Sequence, residues 1–230
     1  MELKIRKLRI IPLTVSQLEL YCEDRAALER SLELNTTGIT EDAHVLAAYR
    51  EMLGLCREHP DEYLWYTNWV IVDSEKNRIV GSAGFKGPVN SMLEVEIGYG
   101  TDEDCRRQGY AMLALKRMTE WALLRRGVCF VTAQVEPENT ASRNLLEKCG
   151  YKHIGKAPEG LLYRIERERP VFIAYLLTSF MSIGVVSGVL TGKLWICLAV
   201  FIPAGAAAGL ITDYLLIKKR KKLARKPEDA

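Results

Sequence analysis

The chain has 230 residues, 48% of them apolar and 27% charged, with a formal net charge of +3. That length holds one full domain and something more. The basic excess is local: residues 170–230 hold eight Lys/Arg and three acids (net +5), against 24 and 26 (net −2) in the rest. A basic nucleic-acid-binding face on the N-terminal part is therefore not expected. Six cysteines (Cys22, Cys56, Cys105, Cys129, Cys149, Cys197) show no C-x-x-C spacing and read as reduced thiols. Three scattered histidines, His44, His59 and His153, argue against a metal site. The opening M-E-L-K-I-R-K-L-R lacks the apolar core of a secretory signal.

Leu3 to Leu13 alternates basic and apolar residues and reads as one opening strand, followed by a helix over about 14–24. Residues 25–60 are helical with breaks: Ala26–Leu32, a polar loop around Asn35-Thr36-Thr37-Gly38, then Glu41–Glu58, stopped by Pro60. Leu64–Val72 is rich in aromatic and branched residues and reads as a strand, with Ser74–Asn77 as turn and Arg78–Lys86 as its partner. Gly87-Pro88-Val89-Asn90 turns again.

The organising stretch is Glu94–Arg126. Its strand alternates: Val95, Ile97 and Tyr99 point one way, Glu94, Glu96 and Gly98 the other. Ala111, Ala114, Leu115, Met118, Trp121 and Ala122 recur at helical spacing. That helix ends in Arg125-Arg126-Gly127, cations in the last turn and a glycine exit. Between strand and helix lies Arg106-Arg107-Gln108-Gly109-Tyr110-Ala111. Small residues there let a ligand approach the backbone, and the open amides of the helix start favour an anion, a pyrophosphate best of all. Val128–Val135 reads as a buried strand parallel to the one before the helix. Glu136–Asn139 then turns, Thr140–Cys149 is a helix stopped by Gly150, and Tyr151–Gly155 with Leu161–Glu166 forms a closing hairpin.

The pattern R-x-x-G-x-A at Arg106, Gly109 and Ala111, after E-I-G-Y and before an amphipathic helix, resembles the acyl-CoA pyrophosphate loop of the GNAT superfamily of N-acetyltransferases. The later run Asn139-Thr140-Ala141-Ser142, then Leu145-Leu146-Glu147-Lys148-Cys149-Gly150-Tyr151, is similar to the second half of that acyl-CoA site. It is closest to the branch that includes the ribosomal-protein alanine acetyltransferases. The resemblance implies an α/β fold over residues 1–168: a mixed, mostly antiparallel sheet with a central parallel βαβ unit and splayed strands. It also implies acetyl-CoA as cosubstrate, no metal, and an amine acceptor that the sequence does not identify.

Acyl transfer from a thioester to an amine needs a grip on CoA, a polarised carbonyl, a base and an acid. The resemblance puts the grip on Arg106, Arg107, Gln108, Gly109, Tyr110 and Ala111, with charge from either arginine. The pantetheine arm lies along Ile97 and Tyr99 and touches Asn139, which its place before Thr140 also makes a helix cap. Polarisation falls to backbone N–H groups at a bulge over Gly98–Gly100. Glu96 is the expected base, directly or through water, with Glu94 second. The tyrosine many members carry is Leu146 here, so Ser142 is the candidate acid, with backbone bonding as its alternative. Leu146 also keeps open a second function: a catalytically impaired acyl-CoA-binding or sensing module.

Val171–Leu190 is twenty residues without a charge, long enough as a helix for a bilayer core. Leu194–Ile217 is a second apolar run, interrupted by Pro203, and residues 218–230 form a basic tail. Residues 170–217 thus read as two transmembrane helices in a hairpin, a multi-pass cell-membrane anchor. The domain and the tail lie on the cytoplasmic side, because Lys193 alone is charged at the tip. Gly184-x-x-x-Gly188 and Gly205-x-x-x-Gly209 are small-residue ladders suited to close helix packing within the hairpin or to a homo-oligomer.

Overall fold

The computed structural model describes residues 1–167 and 171–223. The chain divides into two compact units, Met1–Arg167 and Glu168–Ala230.

The first unit opens on a hairpin where a single strand is expected: Leu3–Ile5 (β1) and Leu8–Pro12 (β2) pair antiparallel. The reversal falls on Arg6-Lys7, with Arg6 at φ 50°. Two consecutive basic residues interrupt the alternation there, but the asparagine or glycine that usually marks a two-residue turn is missing. Three helices follow, each with a side-chain cap: Val15–Glu23 (α1, Thr14), Arg25–Ser31 (α2, Asp24) and Ala43–Glu58 (α3, Asp42). Pro60 then starts a 3₁₀ turn over Pro60–Trp65, so strand β3 is Asn68–Asp73 and begins four residues later than its aromatic content suggests. Trp65 and Leu64 still reach the core, from a turn. Arg78–Phe85 (β4) and Glu94–Thr101 (β5) continue the meander, and Tyr110–Leu123 (α4) crosses over to Phe130–Val135 (β6). Thr140–Lys148 (α5), Lys152–Ala157 (β7) and Gly160–Glu166 (β8) close the unit.

The eight strands lie in the order β1-β2-β3-β4-β5-β6-β8-β7. Every pairing is antiparallel except β5 with β6, which is parallel as the crossover helix requires. One sheet face packs on α4 and α5, with Trp69, Phe85 and Trp121 in mutual ring contact at 5.1–6.5 Å. Ala114, Leu115, Met118 and Ala122 are fully buried there; side chains the size of Leu115 or Met118 each contribute about 1.5–3 kcal/mol of burial. The other face, carrying Val70, Val72 and Ile79, packs on α1–α3 through Leu18, Leu28 and Leu53.

The sheet parts at its centre. β5 and β6 pair only over Glu94↔Phe130, Val95↔Val131 and Glu96↔Thr132. Beyond that, β5 stays with β4 as far as Thr101↔Gly81, while β6 stays with β8 as far as Val135↔Leu161. The β4–β5 register is unbroken from Phe85↔Ile97 to Gly81↔Thr101, so the bulge expected over Gly98–Gly100 does not form on that ladder. A continuous antiparallel ladder with β4 holds the glycines in regular strand geometry.

In the second unit, Val171–Thr191 (α6) and Leu194–Leu223 (α7) are joined through Gly192, at φ 67°, and Lys193. α7 runs through Pro203 and on past Ile217, so the basic residues Lys218–Lys222 continue the helix; residues 224–230 and the expected boundary at Arg169-Pro170 lie outside the described residues. The helices meet at glycine. A Cβ on Gly184 would lie 3.2 Å from Phe201 Cβ, and one on Gly205 would lie 2.7 Å from Phe180 Cβ and 2.9 Å from Leu176 O. These two glycines therefore seat the chain's own helices against each other, the first of the two uses expected for their ladders. Among the described residues one segment, Leu194–Thr212, is long and apolar enough to cross a membrane, and Leu176–Thr191 is a shorter apolar stretch. Two spans are thus not established. Outward-facing Val189, Leu190 and Trp195 are 70%, 81% and 81% exposed, unlike the residues of a buried core helix. The hydroxyls of Ser182, Thr191 and Thr212 donate to carbonyls four residues back in their own helices, which satisfies them without water.

Candidate active site

The loop before α4 holds its shape through backbone conformation and one buried anchor. Arg107 and Gly109 both sit at positive φ, 63° and 79°. Gly109 is the helix N-cap and supplies no capping side chain. The first bond into the helix runs from Leu113 N–H to Gly109 C=O at 3.1 Å, so Tyr110, Ala111 and Met112 present the open amides that every helix start leaves. A Cβ on Gly109 would meet nothing within 4 Å. The space beside Gly109 is clear of the protein's own atoms at that point.

Tyr110 contributes differently from its neighbours. Its ring is 2% exposed and its hydroxyl donates to Asp73 Oδ2 at 2.6 Å. The side chain is thus an anchor into the β3–β4 turn, not a ligand contact; only its backbone N–H remains available. The sequence could not distinguish the two, because a tyrosine at the first helical position suits either. Gln108 is also engaged: Nε2 donates to Asp104 C=O, and Oε1 accepts from Lys76 Nζ at 3.0 Å. Arg106 pairs with Glu103 at 3.3 Å on the surface, while Arg107 is exposed and in no ion pair among the described residues. Ala111 is half-buried.

The free edge of β5 lies next to this loop in sequence. Glu96 C=O accepts from Lys86 N–H on the β4 side at 2.9 Å, whereas Val95 C=O faces Thr132 Oγ1 of β6 at 3.4 Å. Strand backbone groups alternate in direction, so Ile97 and Tyr99 turn their N–H and C=O toward the gap that β6 has left. Past the last β5–β6 pair, Glu96↔Thr132, the backbone groups of Tyr99 face that gap.

Glu96 stands on the face shared with α1–α3 and is held on both sides. Gln134 Nε2 of β6 donates to its Oε2 at 2.8 Å, and Lys86 Nζ lies 2.8 Å from its Oε1. Glu94, the second candidate, pairs with Arg164 at 3.2 Å. Sequence reading named Glu96 but not its partners Lys86 and Gln134. Lys86 lies ten residues earlier, just past the end of β4, and only the antiparallel β4–β5 register brings it alongside.

Ser142 and Asn139 meet at the start of α5. Asn139 Oδ1 caps the helix by accepting from Ser142 N–H at 3.0 Å, so its cap role is realised. Ser142 Oγ lies 2.7 Å from the hydroxyl of Tyr99. Burial pushes the Tyr99 phenol up to about 12, against the opposing pull of the Ser142 bond, so it is protonated at neutral pH. Sequence reading gave Tyr99 a backbone role only; its side chain points with Val95 and Ile97 toward α5 and sets a second hydroxyl against Ser142. Leu146 is fully buried in the core beneath. Among the described residues no three His, Cys, Asp or Glu are grouped to hold a metal ion.

An acetyltransferase (GNAT) domain model matches residues 7–152. N-acetyltransferase YjdG of Bacillus subtilis, itself uncharacterized, is 37% identical over 86 residues, 37% of this chain and 51% of that protein. N-acetyltransferase p20 of Bacillus licheniformis, also uncharacterized, is 26% identical over 112 residues, 49% of this chain and 60% of that protein. The chain thus spans about half the length of the curated relatives it matches. Among solved structures, the ribosomal-protein-S5-alanine acetyltransferase from Vibrio fischeri superposes with TM-score 0.54 at 14% identity, over 73% of this chain and 97% of that one. RimL, a ribosomal L7/L12 α-N-protein acetyltransferase solved with coenzyme A, gives 0.52 at 14% identity over 72% and 98%. These likenesses concern the fold. With the domain match spanning more than half of its length, the chain belongs to the GNAT acetyltransferase family.

Proposed function

We propose that the protein is an acetyl-CoA-dependent N-acetyltransferase that acts by direct transfer in a ternary complex. One coincidence carries this reading: the uncapped start of α4, open at Gly109, is joined by a short loop to the strand whose edge is freed where β5 and β6 part. The amides of Gly109, Tyr110 and Ala111 take the pyrophosphate, with Arg107 the nearer free cation. Pantetheine lies along the Ile97–Tyr99 edge in place of a strand, past Asn139, and a backbone N–H of that edge polarises the thioester carbonyl.

Glu96 takes a proton from the acceptor's ammonium. The neutral amine attacks the carbonyl carbon, a C–N bond forms, the nitrogen releases its second proton to solvent and the C–S bond breaks. The leaving thiolate takes its proton from the Tyr99–Ser142 pair. The hydroxyl pair supplies what a tyrosine at position 146 would otherwise supply.

The helices of the second unit anchor the enzyme in the membrane as a two-helix hairpin, with the domain and the basic end of α7 on the cytoplasmic side. The exposed apolar surface of Leu194–Thr212 and the cations clustered beyond it support this. The acceptor is then an amine available at that surface.

The test is a panel of amines with acetyl-CoA, read by thiol release, on wild-type and Glu96→Gln protein. Amine-dependent thiol release that E96Q loses while still binding acetyl-CoA is the expected result. Acetyl-CoA binding without amine-dependent release in either protein would instead establish an acyl-CoA-sensing module.

A further inference from the structure

We infer that Lys86 is itself an acyl acceptor, and that the protein acetylates this lysine in cis. The inference rests on the acetyl-CoA reading above. Lys86 follows directly on β4, and its backbone N–H donates to Glu96 C=O at 2.9 Å, which fixes it beside the candidate base. Its Nζ lies 2.8 Å from Glu96 Oε1 and 2.5 Å from Glu159 Oε2. Glu159 belongs to the turn between β7 and β8, and its N–H donates to Gln134 Oε1 on β6. The lysine therefore reaches from the β4 side, over β5, to the half of the sheet that β6 carries away. Its ammonium stands at the mouth of the gap between β5 and β6, on the carboxylate assigned to deprotonate an incoming ammonium.

A structural role explains this arrangement less well. The Lys86 side chain is 44% exposed and Glu159 65%, and ion pairs so open to water contribute little to stability. A foreign amine seeking Glu96 must displace Lys86 first, whereas Lys86 needs no displacement and no diffusion.

In the step, Glu96 accepts one proton from the Lys86 ammonium. Nζ then attacks the thioester carbonyl, N–C forms, the nitrogen sheds its second proton to solvent, and C–S breaks. The CoA thiolate leaves with a proton from Tyr99 and Ser142, which regain it from solvent. The sum is ammonium plus acetyl-CoA giving acetyl-lysine, CoA thiol and one proton.

The full-length protein is incubated with acetyl-CoA, digested, and read by mass spectrometry for one acetyl group at each lysine. Lys4, whose side chain is 76% exposed, reports uncatalysed acetylation in the same sample. Lys86 is expected to be modified about 100-fold faster than Lys4, at a rate constant independent of protein concentration. Glu96→Gln brings Lys86 down to the Lys4 rate while acetyl-CoA binding, followed by calorimetry, persists and certifies the fold. Lys86 reacting no faster than Lys4 in a protein that binds acetyl-CoA overturns the inference alone. A protein that binds no acetyl-CoA overturns the parent reading, and this one with it.

Discussion

Tyr99 on strand β5 places its hydroxyl 2.7 Å from Ser142 Oγ at the first turn of α5, joining two residues 43 positions apart at the point where the central strands separate. The pair sets a protonated phenol beside the free strand edge. Removing it separates chemistry from binding. Tyr99→Phe is expected to lower kcat about 10²–10⁴-fold, the range for loss of a general acid, with little change in acetyl-CoA affinity. Steady-state kinetics alongside calorimetry checks this; an unchanged kcat would remove Tyr99 from the mechanism.

Gly109 combines φ 79° with clear space above its Cα. Gly109→Val strains the left-handed backbone by about 1–2 kcal/mol and fills the space in front of the open amides. A large rise in KM for acetyl-CoA is expected, with kcat at saturation affected less. An unaltered KM would show that the cosubstrate's phosphates are held elsewhere.

Arg25 is buried among three carboxylates: Glu29 at 3.2 Å, Glu41 at 2.7 Å and Asp102 at 2.5 Å. It ties α2 to the end of β5. Arg25→Met leaves those acids without their cation, and a loss of about 3–5 kcal/mol is expected. Urea unfolding of the full chain measures it, and a loss below 1 kcal/mol, the range of a surface pair, would contradict it.

Asp73 lies under the loop anchor. Burial pushes its carboxyl up, but the Tyr110 hydroxyl, the amides of Lys76 and Glu75 and the Lys7 ammonium outweigh it, so the folded-state pKa lies below its usual value. A depressed carboxylate adds stability that is complete above its unfolded pKa, about 3.9, and is lost as pH falls through the folded value. Tyr110→Phe removes one of the stabilising bonds. The variant's stability is expected to fall less steeply below about pH 4 than the wild type's, as thermal melts across acid pH would show. Parallel slopes would refute the assignment.

Gly205 admits no side chain against Phe180 and Leu176. Gly205→Leu is expected to force α6 and α7 apart. Cysteines introduced at Gly184 and Phe201, which face each other at a neighbouring contact of the same helix pair, would then cross-link in wild-type background and fail to do so with G205L. Equal cross-linking in both would mean that the helices re-pack around the new side chain.

Much of this was legible residue by residue. Apolar spacing over Ala111–Ala122 located α4, the alternation from Glu94 located β5, and the glycines at 109, 127 and 150 marked turns, because each is a local property of backbone and side chain. The hairpin at Arg6-Lys7 and the 3₁₀ turn at Pro60–Trp65 were hidden for local reasons too: the first lacks turn residues, and the second carries the aromatic content of a strand.

The candidate site divides along the same line. Glu96, Ser142 and the Arg106–Ala111 loop could be named from the chain, since their residue types and spacing carry the family pattern. Their partners could not. Lys86 on Glu96, Tyr99 on Ser142 and Tyr110 on Asp73 are contacts between segments distant in sequence. Strand register and helix docking create those contacts, and both are settled only when the whole sheet closes on its core. The sequence alone determined which groups could do chemistry here; the tertiary structure decided which are occupied, which are paired, and where the sheet opens, because those depend on cross-strand distances that no local spacing encodes.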